Sequence, residues 1–242
     1  MIREIACTEV WGGTGACDVS VKLAGARGEC FSRPYRGGEE GGDIHFLAVC
    51  GMSILSKVVL ADVSGRGAEN AAASRVIHQA LVENVGAHDN STMLRQVNVA
   101  FLARRRGDFK FTTMASMILD SRNHSLVYGY AGHPSILLGE RATGRFRPVV
   151  PEGRARGGVP LGVLPDTDYE QHATSLSPGD VLAVYTDAFT EARDAGGAFL
   201  GEAGLARLLE SAGTLDPAEL KRHVLERIAL DDDASLVILE VM

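Results

Sequence analysis

The sequence predicts an α+β protein, a layered sandwich in which helix pairs are segregated from antiparallel strands. Three observations carry this. Apolar runs of strand length come in groups, two separate pairs of helix-period segments interrupt them, and the resulting order lacks the regular alternation of a βαβ protein. With 242 residues, 45% apolar and 23% charged, the chain can bury a core without staples of disulfide or structural metal. No repeat, low-complexity tract or Pro/Ser-rich linker divides it, so a single domain over 1–242 is expected.

Taken in order, 32–41 is a loop by composition, and 44–50 and 54–63 read as two strands joined by a short turn. A helix follows over 68–85, with Ala73, Val76, Ile77, Leu81 and Val85 as its apolar stripe. A second helix is expected from an N-cap at Ser91 to Arg106, carrying Met93, Leu94, Val97 and Phe101. Segments 111–120, 124–132 and 136–140 look like an antiparallel meander, and 151–160 like a Gly/Pro/Arg-rich loop. Strands are expected at 169–176 and 180–186, separated by a Ser-Pro-Gly-Asp turn. Helices follow at 201–211 and 216–229, the second opening with Asp216 as N-cap and Pro217 in its first turn. A strand over 235–241 completes the order.

The 24 basic against 31 acidic residues, net −7, argue against nucleic acid as a partner, because neutralising phosphates needs a basic surface. Cys7, Cys17, Cys30 and Cys50 form no CxxC pair and are expected as reduced, mostly buried thiols. His45 and Cys50 alternate out of phase on one strand and so do not make a metal pair. There is no secretory leader and no stretch of 18 apolar residues, so a soluble, cytoplasmic protein without membrane partners is expected. Gly13-Thr14-Gly15 lacks the Gly-Lys-Ser/Thr ending of a phosphate loop. The run Arg104-Arg105-Arg106 suits a helix C-terminus or a solvated face. Glycine is in excess, 28 residues, which calls for turns of positive φ or close backbone approach.

Three segments set aspartates at strand ends: Asp62 in VVLADVSGRG, Asp187 in VLAVYTDAFTEA, and Asp231-Asp232-Asp233 before SLVILEV. A carboxylate at the lip of an apolar strand is costly unless paired, hydrogen-bonded or on a metal. Hard divalent cations prefer such oxygens, and three carboxylates from separate strands suit two ions about 3.5–4 Å apart.

In order, ADVSGRG, FTTMASMILD, YAGHPSILL, GVPLGVLPD, SPGDVLAVYTDAFTEA and DDDASLVILEV resemble successive motifs of PPM-type metal-dependent serine/threonine phosphatases, in their SpoIIE-like bacterial branch. The resemblance covers roughly 40–242, and GGDIHF also looks like the family's GGDxxD segment. It implies a four-layer αββα sandwich, two mainly antiparallel central sheets flanked by helix pairs, with two Mn²⁺ or Mg²⁺ ions at one sheet edge. By position, Asp62 would bridge the ions, the Val63 carbonyl would add a ligand, and Asp187 and Asp232 would complete the centre; these three aspartates are the catalytic candidates. Asp43, Ser64, Gly65, Arg66 and Asp233 are possible supporting residues. The implied reaction is hydrolysis of phosphoserine or phosphothreonine by a metal-activated water, with no phosphoenzyme. The implied substrate is a phosphorylated STAS-domain protein of a bacterial partner-switching system, and the helices beside the Asp62 loop are the implied moving part.

The chain departs from the pattern in three places. Arg66 replaces a usual histidine, Ala188 replaces a glycine and is tolerated if φ is negative there, and Phe46 replaces the second acid of GGDxxD, which removes a third metal site. His133 in the AGHP turn reads as a structural hydrogen-bonding histidine. The competing functional class is a non-catalytic module of the same fold that sequesters a signalling partner.

Overall fold

The computed structural model describes residues 2–50, 52–104, 110–151, 158–193 and 196–242. Parts of two expected features, the 151–160 loop and the end of the arginine run at 105–106, lie outside them. The chain opens with four strands that the sequence reading did not anticipate: β1 (Ile2–Glu4), β2 (Val10–Gly13), β3 (Cys17–Leu23) and β4 (Ala26–Arg33). Glycine, cysteine and charge interrupt their apolar runs, although in β3 Val21 and Leu23 turn inward while Asp18 and Lys22 face water.

Then come β5 (Asp43–Cys50), β6 (Leu55–Val63), α1 (Ala71–Glu83), α2 (Asn90–Arg104), β7 (Thr112–Asp120) and β8 (Ser125–Ala131). They are followed by β9 (Leu137–Gly139), β10 (Phe146–Pro148), β11 (Gln171–Ser175), β12 (Val181–Tyr185), α3 (Gly201–Glu210), α4 (Pro217–Leu225) and β13 (Ala234–Val241). The strands form a seven-stranded sheet ordered β1-β3-β4-β13-β12-β9-β10 and a six-stranded sheet ordered β11-β8-β7-β6-β5-β2. Only β1 and β3 pair in parallel; the other named strand pairs are antiparallel.

The four layers follow from which faces are apolar. Between the sheets lies a core that includes Leu47, Leu60, Met117, Leu182 and Leu239. The opposite face of the six-stranded sheet presents Ile44, Phe46 and Val59 to Ile77, Leu81 and Phe101 of α1 and α2. The outer face of the seven-stranded sheet meets α3 and α4 through Tyr185, Ile238, Leu205 and Leu220. Strands buried on both faces read as continuous apolar runs, which is why 44–50 and 235–241 were legible as strands. The αββα sandwich is therefore the fold of this chain.

Four expectations need correction. The N-cap of α2 is not Ser91: Asp89 accepts from Thr92 N at 2.7 Å, while the Ser91 hydroxyl donates to the Tyr169 carbonyl. An acidic side chain three residues before that N–H is the better acceptor at the positive end of the helix. The segment 136–140 does not complete a meander; after β8 the chain crosses to the other sheet, where β9 pairs with β10 and β12. The segment 68–85 begins as a 3-10 turn over Gly67–Asn70, and helix proper starts at Ala71, because the Asn70 side chain is drawn back to the Val63 carbonyl. Finally, α4 ends at Leu225, since Ile228 and Leu230 fold in against the α3–α4 core instead of continuing the helix. Its predicted start holds: Asp216 caps Ala218 N and Glu219 N at 3.0 Å each, with Pro217 behind it.

The four cysteines are unpaired, as expected, but only Cys30 is buried. Among the described residues no helix is long and apolar enough to cross a membrane. Leu239 is wholly enclosed between the sheets. Its replacement by alanine is expected to remove about 2–5 kcal/mol of stability, read as a lower urea midpoint with an unchanged slope.

Candidate metal centre

The ends of four strands meet at one edge of the sandwich. Asp62, near the end of β6, sits opposite Asp43, the first residue of β5. The other Asp62 neighbour is Thr113 of β7. From the facing sheet, Thr186 follows β12 and its hydroxyl donates to Asp43 Oδ2 at 2.9 Å while accepting from Ser235 N of β13 at 3.0 Å. This short relay fixes the two sheet edges against each other. Asp187 comes next, opening a 3-10 turn whose N–H groups at Thr190 and Glu191 return to its carbonyl at 2.8 Å. Ala188 lies in that turn and is not among the residues with positive φ, so alanine is accommodated.

Asp232 and Asp233 precede β13 and do different work. Asp232 Oδ1 accepts from Asp233 N at 2.8 Å, and its Oδ2 accepts from Arg66 Nε at 2.6 Å. Asp233 is buried and accepts three backbone N–H bonds, from Tyr35 at 2.7 Å, Gly42 at 2.9 Å and Gly67 at 2.8 Å. With both oxygens so engaged, Asp233 ties the loop between β4 and β5 and the turn before α1 to its own loop. A side chain at Gly41 would put its Cβ 2.3 Å from Asp233 Oδ1, which is the close approach that the glycine-rich segment before Asp43 provides.

The loop after Asp62 is held on both sides. The Val63 carbonyl accepts from Asn70 Nδ2 at 2.9 Å, keeping a second lone pair, and Asn70 Oδ1 in turn accepts from Lys110 Nζ at 2.5 Å. Ser64 pairs with Phe111 through both backbone and hydroxyl. Gly65 adopts φ +107°, a conformation that side chains rarely reach, and this swings Arg66 out to the surface.

The charges are crowded. Burial first, then the neighbouring Asp43, Asp187 and Asp232 carboxylates, push the Asp62 carboxyl well above its ordinary range. Asp43 is raised well above it too, chiefly by burial. Asp187 is pushed up to about 6 by burial, Glu191 and Asp232. Asp232 is raised by burial, against the lowering pull of the Asp233 N–H and Arg66. Asp43 Oδ1 is buried without a hydrogen-bond partner. An all-oxygen donor set, mutual repulsion and an orphaned buried acceptor together fit a hard divalent cation.

The sequence-predicted residues Asp62, Asp187 and Asp232 thus come to one edge, with the Val63 carbonyl, Asp43, Ser64, Gly65, Arg66 and Asp233 around them. Beside them opens a cleft of about 300 Å³ lined by Arg66, Ala188, Glu191, Arg193, Phe199 and Asp232. Sequence reasoning missed Thr186 and Asn70. Each stands close in the chain to a motif aspartate, but polar residues of that kind in a loop carry no signal of burial. His133 is buried with Nδ1 2.8 Å from Thr113 Oγ1, which matches its structural reading.

The sequence model described as Stage II sporulation protein E (SpoIIE) matches residues 56–242. The chain belongs to the SpoIIE family. Among curated proteins it is 27% identical over 190 residues to the phosphoserine phosphatase RsbU of Bacillus subtilis (strain 168), covering 75% of this chain and 54% of RsbU. The chain therefore spans about half the length of that relative. Among solved structures, the RsbU and RsbW domains of Rv1364c from Mycobacterium tuberculosis superpose with TM-score 0.74 at 22% identity, over all of this chain and 62% of that one. RsbX in complex with magnesium superposes with TM-score 0.71 at 15% identity, over 93% of this chain and 100% of RsbX. These structural likenesses establish the SpoIIE-family member as having the PPM phosphatase fold.

Three outcomes are expected from this geometry. Asp233→Asn turns an amide N–H donor toward backbone N–H donors, and should cost about 2–4 kcal/mol in urea unfolding with loss of Mn²⁺ binding by calorimetry. Arg66→Ala frees an oxygen of Asp232 from a half-exposed ion pair and should tighten Mn²⁺ by up to about fivefold in the same titration. His133 is driven down to about 3 by burial, so it stays neutral in the fold while the unfolded chain takes up a proton below its ordinary value near 6.5. Stability should fall as pH drops from 6.5 toward 3, by at most about 1.4 kcal/mol per pH unit from this group, and His133→Asn should flatten that slope.

Proposed function

We propose that this SpoIIE-family chain is a metal-dependent phosphatase that hydrolyses phosphoserine or phosphothreonine in proteins. The observation that carries the reading is the convergence of Asp62, Asp187 and Asp232 from both sheets onto one edge, beside a cleft with two arginines. Asp62, Asp187, Asp232 and the Val63 carbonyl would hold two divalent cations, Mn²⁺ or Mg²⁺, and such ions supply Lewis acidity and lower the pKa of a bound water toward neutrality.

The chain's own residues do the rest. Asp233 and Gly42 fix the loop that presents Asp62, and Thr186 locks Asp43 so that its repulsion with Asp62 is built into the fold. Arg66 donates to Asp232 Oδ2 at 2.6 Å, and with a cation held on that carboxylate its guanidinium would be available to a phosphate. Arg193, stacked over Phe199 at 4.6 Å, lines the same cleft as a second cation for phosphate or for acidic flanks of a peptide. No side-chain nucleophile is required of the chain, since the acids at the edge serve as ligands.

The similarity to RsbU supports a role in bacterial partner switching, with a phosphorylated STAS-domain protein as the substrate. We infer that residues 1–242 make one catalytic unit, because β3 and β4 complete the sheet that carries Asp187 and Asp232. A non-catalytic partner-sequestering module is the weaker reading: a chain freed from catalysis has no reason to keep three mutually repelling acids at one edge.

The test is release of phosphate from a phosphorylated STAS-domain protein with and without Mn²⁺. Hydrolysis should need the metal, stop with a chelator and return on adding Mn²⁺. Asp187→Asn should lower kcat by at least about a hundredfold while the fold, followed by circular dichroism, is kept. Absence of Mn²⁺ binding by calorimetry would sink the catalytic reading.

A further inference from the structure

A second convergence of ligand-type side chains lies between the sheets, one strand step inward from Asp43 on β5. Cys17 of β3 and Cys30 of β4 are on neighbouring strands of the seven-stranded sheet, with Val19, not Cys17, directly opposite Cys30. The cysteines are therefore diagonal neighbours, and their sulfurs are 3.7 Å apart. His45 of β5 faces them from the six-stranded sheet, on the same strand face as Leu47 and Val49 of the inter-sheet core. The ligating atoms of these three residues all lie within 4.8 Å of one another, and no other His/Cys/Asp/Glu trio among the described residues does so.

Hydrophobic packing does not account for this arrangement. His45 is 4% exposed and its Nδ1 has no hydrogen-bond partner, an expensive state for an imidazole in an apolar layer. The Trp11 ring, 5.2 Å from the imidazole, covers one side. The sulfurs are too far apart for a disulfide, whose bond is about 2.05 Å. They are close to the separation of two thiolates on a tetrahedral ion, about 3.8 Å for metal–sulfur bonds of about 2.3 Å. The Cys17 thiol is held below the usual range by hydrogen bonding to Cys30 and by its neighbour His45, which makes a thiolate accessible there. Cys17 is only half-buried, so an ion and a fourth, solvent ligand can reach the site.

We propose that Cys17, Cys30 and His45 form a binding site for a thiophilic closed-shell cation, Zn²⁺ foremost, that staples the two sheets together. Binding displaces the two thiol protons to solvent and leaves both sulfurs reduced; no electron is transferred. Soft thiolate and imidazole ligands select against the hard ions that suit the carboxylate edge. The two sites are therefore distinguished by ligand chemistry.

The probe is Co²⁺ titrated into the reduced 242-residue chain under anaerobic conditions. Expected are thiolate-to-cobalt charge-transfer absorption in the near ultraviolet and visible bands of tetrahedral intensity, both abolished on adding Zn²⁺. Asp187→Asn should leave these signals unchanged, because the carboxylate edge holds no sulfur. Cys17→Ser, at a half-buried position, should lose them while keeping its thermal transition. Zn²⁺ should also slow alkylation of two of the four thiols by about tenfold or more. Overturning results are a cobalt spectrum with oxygen ligands only, a spectrum unaltered by Cys17→Ser, or loss of two titratable thiols with no sulfur band, which would mean a disulfide instead. The wild-type spectrum decides the matter even if a variant fails to fold.

Discussion

The carboxylate of Asp233 is the constraint on which the functional edge depends. It gathers N–H groups from the loop after β4, the strand entry at Gly42 and the turn before α1. Tyr35 and Gly42 are the two ends of one loop between β4 and β5, and Gly67 and Asp233 come from distant parts of the chain. Buried backbone donors must find acceptors, and one carboxylate side chain meets three of them at once. The loop that carries Asp62 and the loop that carries Asp232 are thereby given a common origin.

Around this anchored point the chain assembles repulsion. Asp43, Asp187 and Asp232 each raise the proton affinity of a neighbour, Asp62 among them, and hydrophobic burial of both sheets forces them to remain together. Two large apolar layers behind the edge and one between the sheets can bear that strain, since each enclosed leucine or phenylalanine contributes about 1.5–3 kcal/mol. Arg66 offsets part of it from the surface side, as a half-exposed counter-charge paired with Asp232. The fold is thus stable by its core and reactive at its rim.

Much of this was legible in the sequence, and the reasons are specific. Strands buried on both faces, such as β5, β6 and β13, announce themselves as unbroken apolar runs. The aspartates at their ends stand out because carboxylates rarely interrupt such runs. The first four strands were not legible, since a strand with one wet face and interior glycines resembles a loop. The crossing after β8 was not legible either: nothing local in Gly132-His133-Pro134 distinguishes a hairpin from a change of sheet. Asp233 could not be separated from Asp232 by sequence, because the difference lies in partners supplied from about two hundred residues away. Cys17, Cys30 and His45 gave no spacing pattern for the same reason, as their proximity is created by a strand register and a sheet-to-sheet gap.

The position of β13 has a further consequence. It lies in the interior of the seven-stranded sheet, between β4 and β12, with Ala234 paired to Arg33 across some two hundred residues of chain. Until that strand arrives, β3–β4 and β12–β9 are separate ribbons with exposed inner edges, and the loops awaiting Asp233 have no acceptor. Formation of the sheet must therefore be late and governed by distant contacts, so folding is expected to be slow and all-or-none, not stepwise from the N-terminus. In a growing polypeptide the ribbons would stand open while the intervening helices were made, with their edges available to other chains. The strand that closes the sheet also brings the acids of the rim into place, so completion of the core and appearance of the charged edge are one event.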